Sequence, residues 1–233
     1  MIISFSGPDG VGKTTQISYL MKYFSQLGFK CCSIYDVSPS IRYHKQKDLL
    51  SYYDLFQSCD VIHTRFRMNS DANNKIVNEL ENNSVIPNKP LAMLAARQGY
   101  ADYREWFDTV ICPLQATTEK ILVYDRYIWD EMAFKTFYGC PFKYMEDLYA
   151  DTEKPQLSLV CNANVVTIKE RNLSRSDGIT TLYKSSIYIE QLNNIFAQIS
   201  DIYNLQQINM EKTLEDTHKD ILKLINPLLT AKR

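Results

Sequence analysis

The chain has 233 residues, 45% hydrophobic and 23% charged, enough for one sizeable α/β domain with its own core. Its 26 Lys and Arg against 27 Asp and Glu give a net charge of -1. That balance excludes the cationic footprint of a nucleic-acid-polymer binder and leaves small anionic ligands open. No window approaches the ~20 apolar residues of a membrane span, and the N-terminus has no basic, then apolar, leader pattern, so a cytoplasmic protein away from membranes is expected.

Residues 2–5 form an apolar run that reads as a buried strand ending at Gly7. Ile17, Leu20, Met21, Phe24 and Leu27 then recur on one helical face, and Gly28 supplies the stop. Residues 29–35 return to strand character, which completes a βαβ unit. Residues 36–60 have no clear period and read as an insertion; residues 61–64 form a further apolar strand. The second strand of the sheet is therefore either the one ending at Tyr35 or the one ending at Thr64. Helices are expected over 71–83 and 91–113, the latter carrying Tyr100, Tyr103, Trp106 and Phe107 as a core face in preference to a dimer face. Strands follow at 120–124, 157–161 and 205–210. Between the last two lies a helix with Leu192, Ile195, Phe196, Ile199 and Tyr203 on one side, and Thr213 with Asp216 caps a final helix. No repeat or linker divides the chain, so residues 1–233 are read as a single domain. The expected architecture is α/β: a five-stranded, mainly parallel sheet with helices on both faces.

The six cysteines contain no C-x-x-C pair, and with three histidines they make no zinc pattern. They read as buried thiols in a reducing compartment.

The chemistry is concentrated in Gly7-Pro8-Asp9-Gly10-Val11-Gly12-Lys13-Thr14, which matches G-x-x-x-x-G-K-[ST]. Glycines let the backbone curl so that successive N–H groups point inward at phosphate oxygens, and the loop opens into a helix N-terminus that favours anions. Lys13 reaches the β and γ phosphates of ATP, and the Thr14 hydroxyl is a Mg²⁺ ligand; Val11 and Thr15 complete the ATP-binding stretch. Asp125 closes an apolar strand, the position of a second metal acid, and the adjacent Arg126 can contact a phosphate. The alternatives are a turn aspartate and a surface ion pair.

These residues resemble the thymidylate kinase family of P-loop nucleoside monophosphate kinases. The loop G-P-D-G-V-G-K-T-T-Q is close to the family's acidic form, and Asp125-Arg126-Tyr127 looks like its D-R-Y motif. Ala95-Ala96-Arg97 is similar to A-A-x-R, Thr64-Arg65-Phe66-Arg67 to T-R-E-P, and Pro155-Gln156-Leu157 to P-D-L. The resemblance implies a P-loop NTPase three-layer fold and transfer of the ATP γ-phosphate to a deoxynucleoside monophosphate, dTMP first, with Mg²⁺ as cofactor. It further implies a homodimer. Asp9 would hold the acceptor sugar hydroxyl, Arg65 and Arg126 its 5′-phosphate, Arg97 and Met93 its base, with Tyr127 alongside. Asp125 would join Thr14 in the metal shell. Gly10 leaves no arginine in the loop, so catalytic charge falls to the lid, about 164–182, with Lys169, Arg171 and Arg175. Asn172 to Gly178 reads as a polar, mobile stretch; the rival for the basic cluster is a solvated helix end.

The departures fall on the acceptor side. Phe66 and Arg67 replace the acidic and proline positions, Met93 stands where an aromatic is usual, Asp130 replaces a serine, and Lys135 falls where a glutamine is common. A kinase acting on a hydroxyl is the competing enzyme reading, with Asp130 or Asp9 as base. A non-catalytic nucleotide-binding regulator and a nucleic-acid-dependent ATPase rank below it.

Overall fold

The computed structural model of the chain describes residues 1–34, 49–66, 70–82, 87–117, 119–174 and 181–230. Tyr35, Arg67, Arg175 and the part of the 36–60 stretch before residue 49 lie outside them. Among the described residues six strands form one sheet: β1 (Ile2–Ser6), β2 (Cys31–Ser33), β3 (Val61–Thr64), β4 (Ile121–Asp125), β5 (Leu157–Asn162) and β6 (Gln206–Asn209). Their order is β2-β3-β4-β1-β5-β6, and every neighbouring pair is parallel.

This corrects the expectation of five strands in a mainly parallel sheet. Both candidates for the second strand are used, side by side, with Cys32 opposite Ile62. The stretch between them is a crossover containing helix α2 (Leu49–Gln57), so each apolar run finds a parallel place. The expectation of buried thiols is also corrected. Cys32 and Cys59 are paired as a disulfide, Cα–Cα 6.1 Å; of the free cysteines Cys140 and Cys161 are buried, Cys31 is half-buried and Cys112 is exposed.

The strand period of two sorts side chains between two cores. Ile3, Phe5, Val123 and Leu159 face one side, where helix α1 (Lys13–Gln26) covers them with Ile17, Leu20 and Phe24. Ile2, Ile62, Leu122, Tyr124 and Val160 face the other. There they meet α4 (Lys89–Trp106), α6 (Ile128–Phe137) and α9 (Ser186–Tyr203). Helix α3 (Asp71–Asn82) packs on α4, and α10 (Leu214–Thr230) packs on α1. Tyr103 and Trp106 are buried, so the aromatic face of α4 is core. The helix continues beyond Trp106 as a π-helical turn, Phe107–Ile111, and then α5 (Cys112–Thr117).

Helix ends follow local chemistry. Phe29 N–H bonds Phe24 O and Gly28 N–H bonds Ser25 O, the double bond that closes α1. Thr213 Oγ1 accepts from Asp216 N–H at 3.1 Å, the expected cap of α10. Asn164 likewise caps α8 (Val165–Leu173) by accepting from Thr167 N–H. Helix α7 (Phe142–Leu148) completes the set. Among the described residues no helix is long and apolar enough to cross a membrane.

Candidate active site

β1 lies between β4 and β5 in the middle of the sheet, where successive connections leave in opposite directions. In open α/β sheets that crevice, beyond the strand C-termini, is where ligands bind. β1 empties there into the loop 7–12, and α1 begins at Lys13 directly after it. The loop is packed too tightly for side chains at two points. A Cβ at Gly7 would lie 2.4 Å from Cys161 O on β5, and one at Gly10 would lie 2.0 Å from Asn172 Oδ1.

Lys13 is buried, and its Nζ donates to Gly7 O at 2.7 Å and Pro8 O at 2.8 Å. Burial, then the neighbouring Arg126 charge, pull its pKa below the usual lysine range, with Asp9, Asp130 and Asp125 opposing. Thr14 Oγ1, open to the cleft, donates to Asp125 Oδ2 at 2.8 Å. Burial pushes the Asp125 carboxyl up, but Lys13, Arg126, His63 and Arg65 together hold it below the ordinary carboxylate range. An ionised carboxylate beside a hydroxyl is a hard oxygen pair, the donor type a Mg²⁺ shell takes.

Arg126 follows β4 with φ at 78°, a left-handed conformation uncommon outside glycine. Its N–H donates to Phe5 O at 2.9 Å, and its guanidinium is held by Asp9 and by Asp130 at 3.2 Å. Those contacts over-determine a backbone that costs of order 1–3 kcal/mol. Burial works against the Arg126 charge, but the three carboxylates Asp9, Asp130 and Asp125 outweigh it and raise its pKa. Arg65, just after β3, joins Asp9, Lys13, Thr14, Thr15, Asp125, Arg126 and Arg171 around one cleft of about 470 Å³. Met210, Lys212, Leu214 and Thr217 close its far side.

Asp130, suggested by the sequence as a base, is committed to the scaffold. It is buried, accepts from Gly7 N–H at 3.2 Å and Tyr127 N–H at 3.0 Å, and pairs with Arg126. Burial pushes its carboxyl up, and Arg126 and Lys13 pull it partly back.

From α8, Arg171 Nη1 donates to Val11 O at 2.8 Å and Nη2 to Met210 O at 3.0 Å. Asn172 was expected at the start of a mobile stretch; it is instead fully buried, on α8, because its amide bonds Asp9 O at 3.1 Å and Tyr183 O at 2.8 Å. The Tyr183 hydroxyl in turn bonds Glu81 on α3. Neither Glu81 nor Tyr183 carries a motif, and only their meeting in space gives them a place. Burial lifts the Glu81 carboxyl above its usual range. Arg175 lies outside the described residues.

The acceptor-side candidates are less gathered. Met93 is half-buried against the core and Arg97 exposed, both on α4, and neither lines the cleft just described. The Tyr127 ring is turned into the core against Phe66 and Tyr124, with its hydroxyl donating to Glu153 O. Phe66 stacks on Tyr103 at 4.3 Å, which explains the loss of an acidic residue there: the position is apolar and buried. Lys135 is buried with Nζ 3.8 Å from Glu131.

No protein-family model matches the chain. A thymidylate kinase of Desulfotalea psychrophila is 23% identical over 228 residues, covering 98% of this chain and 95% of that one. A probable thymidylate kinase of Thermococcus gammatolerans is 22% identical over 227 residues, covering 97% and 95%. Among solved structures, thymidylate kinase from Ehrlichia chaffeensis has the same fold, with a TM-score of 0.60 at 18% identity over 97% of this chain and 98% of that one. Over nearly its whole length, then, the chain is similar to thymidylate kinases in sequence and in fold.

Proposed function

We propose that the chain is a single-domain nucleoside monophosphate kinase that transfers the γ-phosphate of ATP to dTMP, giving ADP and dTDP. One observation carries this reading. A phosphate cradle with Lys13, the Thr14–Asp125 oxygen pair, and two further arginines, Arg65 and Arg126, share a single cleft. The loop and Lys13 take the ATP phosphates. An acceptor without a phosphate has little use for Arg65 and Arg126, so the second anion is placed there.

Thr14 and Asp125 are the residues that would hold Mg²⁺, which when bound neutralises charge on the phosphate oxygens. The rest is positioning. An acceptor phosphate is already ionised at pH 7, so an oxygen of it attacks the γ-phosphorus in line and no general base is required. That agrees with Asp130, whose carboxylate is occupied by Gly7, Tyr127 and Arg126. Arg126 stands between the two phosphates, and Arg171 and Arg175 supply lid charge for the transition state. Asp9, beside Arg126, is assigned to the acceptor sugar, and Met93 and Arg97, on α4 outside the lining of that cleft, to its base. The likeness to thymidylate kinases also makes a cytoplasmic homodimer the expected working form, which sedimentation checks.

The test is ADP release with Mg²⁺, ATP and a panel of nucleoside monophosphates and nucleosides. Turnover should be fastest with dTMP and absent with thymidine. Turnover with no monophosphate at all sinks the proposal, and turnover with a nucleoside alone favours the hydroxyl kinase.

A further inference from the structure

Two consecutive side chains of α8 grip carbonyls of the phosphate loop. Arg171 Nη1 holds Val11 O at 2.8 Å, and Asn172 Nδ2 holds Asp9 O at 3.1 Å. These are alternate carbonyls of the loop. Carbonyls engaged by α8 are kept from turning toward a bound anion, which reserves that side of the loop for N–H groups, as an anion nest requires.

Asn172 does more than bond the loop. Its second amide hydrogen goes to Tyr183 O at 2.8 Å, so one buried carboxamide joins the loop to the segment Thr181–Lys184 that follows the lid. That segment reaches on to α3 through the Tyr183 hydroxyl and Glu81. Asn172 Oδ1 is buried, with no hydrogen-bond partner among the described residues, and it occupies the space that a Cβ at Gly10 would need. Leaving a buried acceptor unpaired is costly, so the site calls for an explanation beyond packing. A leucine or methionine would fill the volume without that cost, but would lose both carbonyl contacts.

We propose that Asn172 is a positioning residue for the donor site: it fixes Asp9 and Gly10 of the loop against the base of the lid, so that the loop amides and Arg171 meet ATP already arranged. The assignment rests on the kinase reading for its meaning but not for its test, because donor binding can be measured without any acceptor.

The experiment titrates Mg·ATP into the full chain and its variants by calorimetry, with circular dichroism and thermal unfolding as checks of the fold. Asn172→Ala removes both donors and should weaken Mg·ATP binding about tenfold, the effect of losing about 1.4 kcal/mol of pre-organisation. Asn172→Asp puts carboxylate oxygens against two carbonyls and should bind no better than Asn172→Ala. Asn172→Ser, a milder change that retains one donor, should fall between Asn172→Ala and the parent. With dTMP present, the KM for ATP should rise with the dissociation constant while the KM for dTMP moves less than twofold. Folded variants with parental Mg·ATP affinity overturn the proposal. So does failure of both Asn172→Ala and Asn172→Ser to fold, since that makes Asn172 a packing residue. If the parent binds Mg·ATP but phosphorylates no monophosphate, the kinase reading fails while the Asn172 assignment is still decided by the titration.

Discussion

Replacing Asp130 by alanine tests how the loop is held. The side chain is 2% exposed and accepts from two backbone donors, Gly7 N–H and Tyr127 N–H. Each donor stranded in the interior costs about 1–3 kcal/mol. The pair with Arg126 adds less, because that side chain is 33% exposed and keeps Asp9 as a partner; a pair so exposed is worth at most about 1 kcal/mol. Against these losses stands relief of the Asp130 desolvation that burial imposes. The net expectation is a loss of about 3 kcal/mol, dominated by the two amides. For a chain of this size that lowers the unfolding midpoint by roughly 6–12 °C. Urea unfolding measures it directly, and Glu190→Ala, an exposed carboxylate on α9, serves as the control with a far smaller shift. A loss for Asp130→Ala below about 1 kcal/mol would refute the claim that Asp130 anchors the loop, because exposed polar changes do no more than that.

Further expectations concern function and redox state. Lys13→Ala should abolish turnover while leaving the circular dichroism spectrum and unfolding cooperativity intact; near-normal kcat would remove the loop from the mechanism. Arg65→Ala should raise the KM of the acceptor at least tenfold more than that of ATP, and equal effects on both would contradict an acceptor-phosphate role. Gly7→Ala should disable ATP binding, because its Cβ meets the β5 backbone at Cys161 O rather than a side chain that can move. The Asp125 carboxyl is held below its ordinary value of 3.8, so its contribution to stability is full above 3.8 and is lost only as pH falls through the lower folded value. Any acid limb near pH 6 in kcat/KM for ATP should therefore survive in the residual activity of Asp125→Asn. Thiol titration of the denatured, unreduced chain should count four cysteines, rising to six after reduction, given the Cys32–Cys59 pair; six before reduction contradicts the pairing.

Much of the fold was legible because its strands are short apolar runs ending in turn residues. Val61–Thr64 matches the expectation residue for residue, and the other strands differ from theirs only at the ends. The sheet was undercounted because two apolar runs competed for one place, and only pairing in space shows that both fit. Helices α2, α6 and α7 were missed because they are short, at nine, ten and seven residues, and offer too few turns for a helical period to stand out. The loop and Asp125 were legible because their spacing is local and their chemistry is fixed by backbone and charge. Asn172, Tyr183 and Glu81 were not. They lie on three separate elements, and an asparagine in a polar stretch reads as solvated until Asp9 and Tyr183 are seen on either side of it. Asp130 was noticed as a departure and, under the competing hydroxyl-kinase reading, as one of two possible bases; its burial and its two backbone donors are invisible in sequence.

Phosphoryl transfer from ATP to dTMP is read out by incubating the chain with γ-labelled ATP, Mg²⁺ and dTMP and separating the products. Label should appear in dTDP, with none in inorganic phosphate beyond background and no label transfer by Lys13→Ala. Label appearing only as inorganic phosphate, or remaining in ATP with every monophosphate offered, would contradict it.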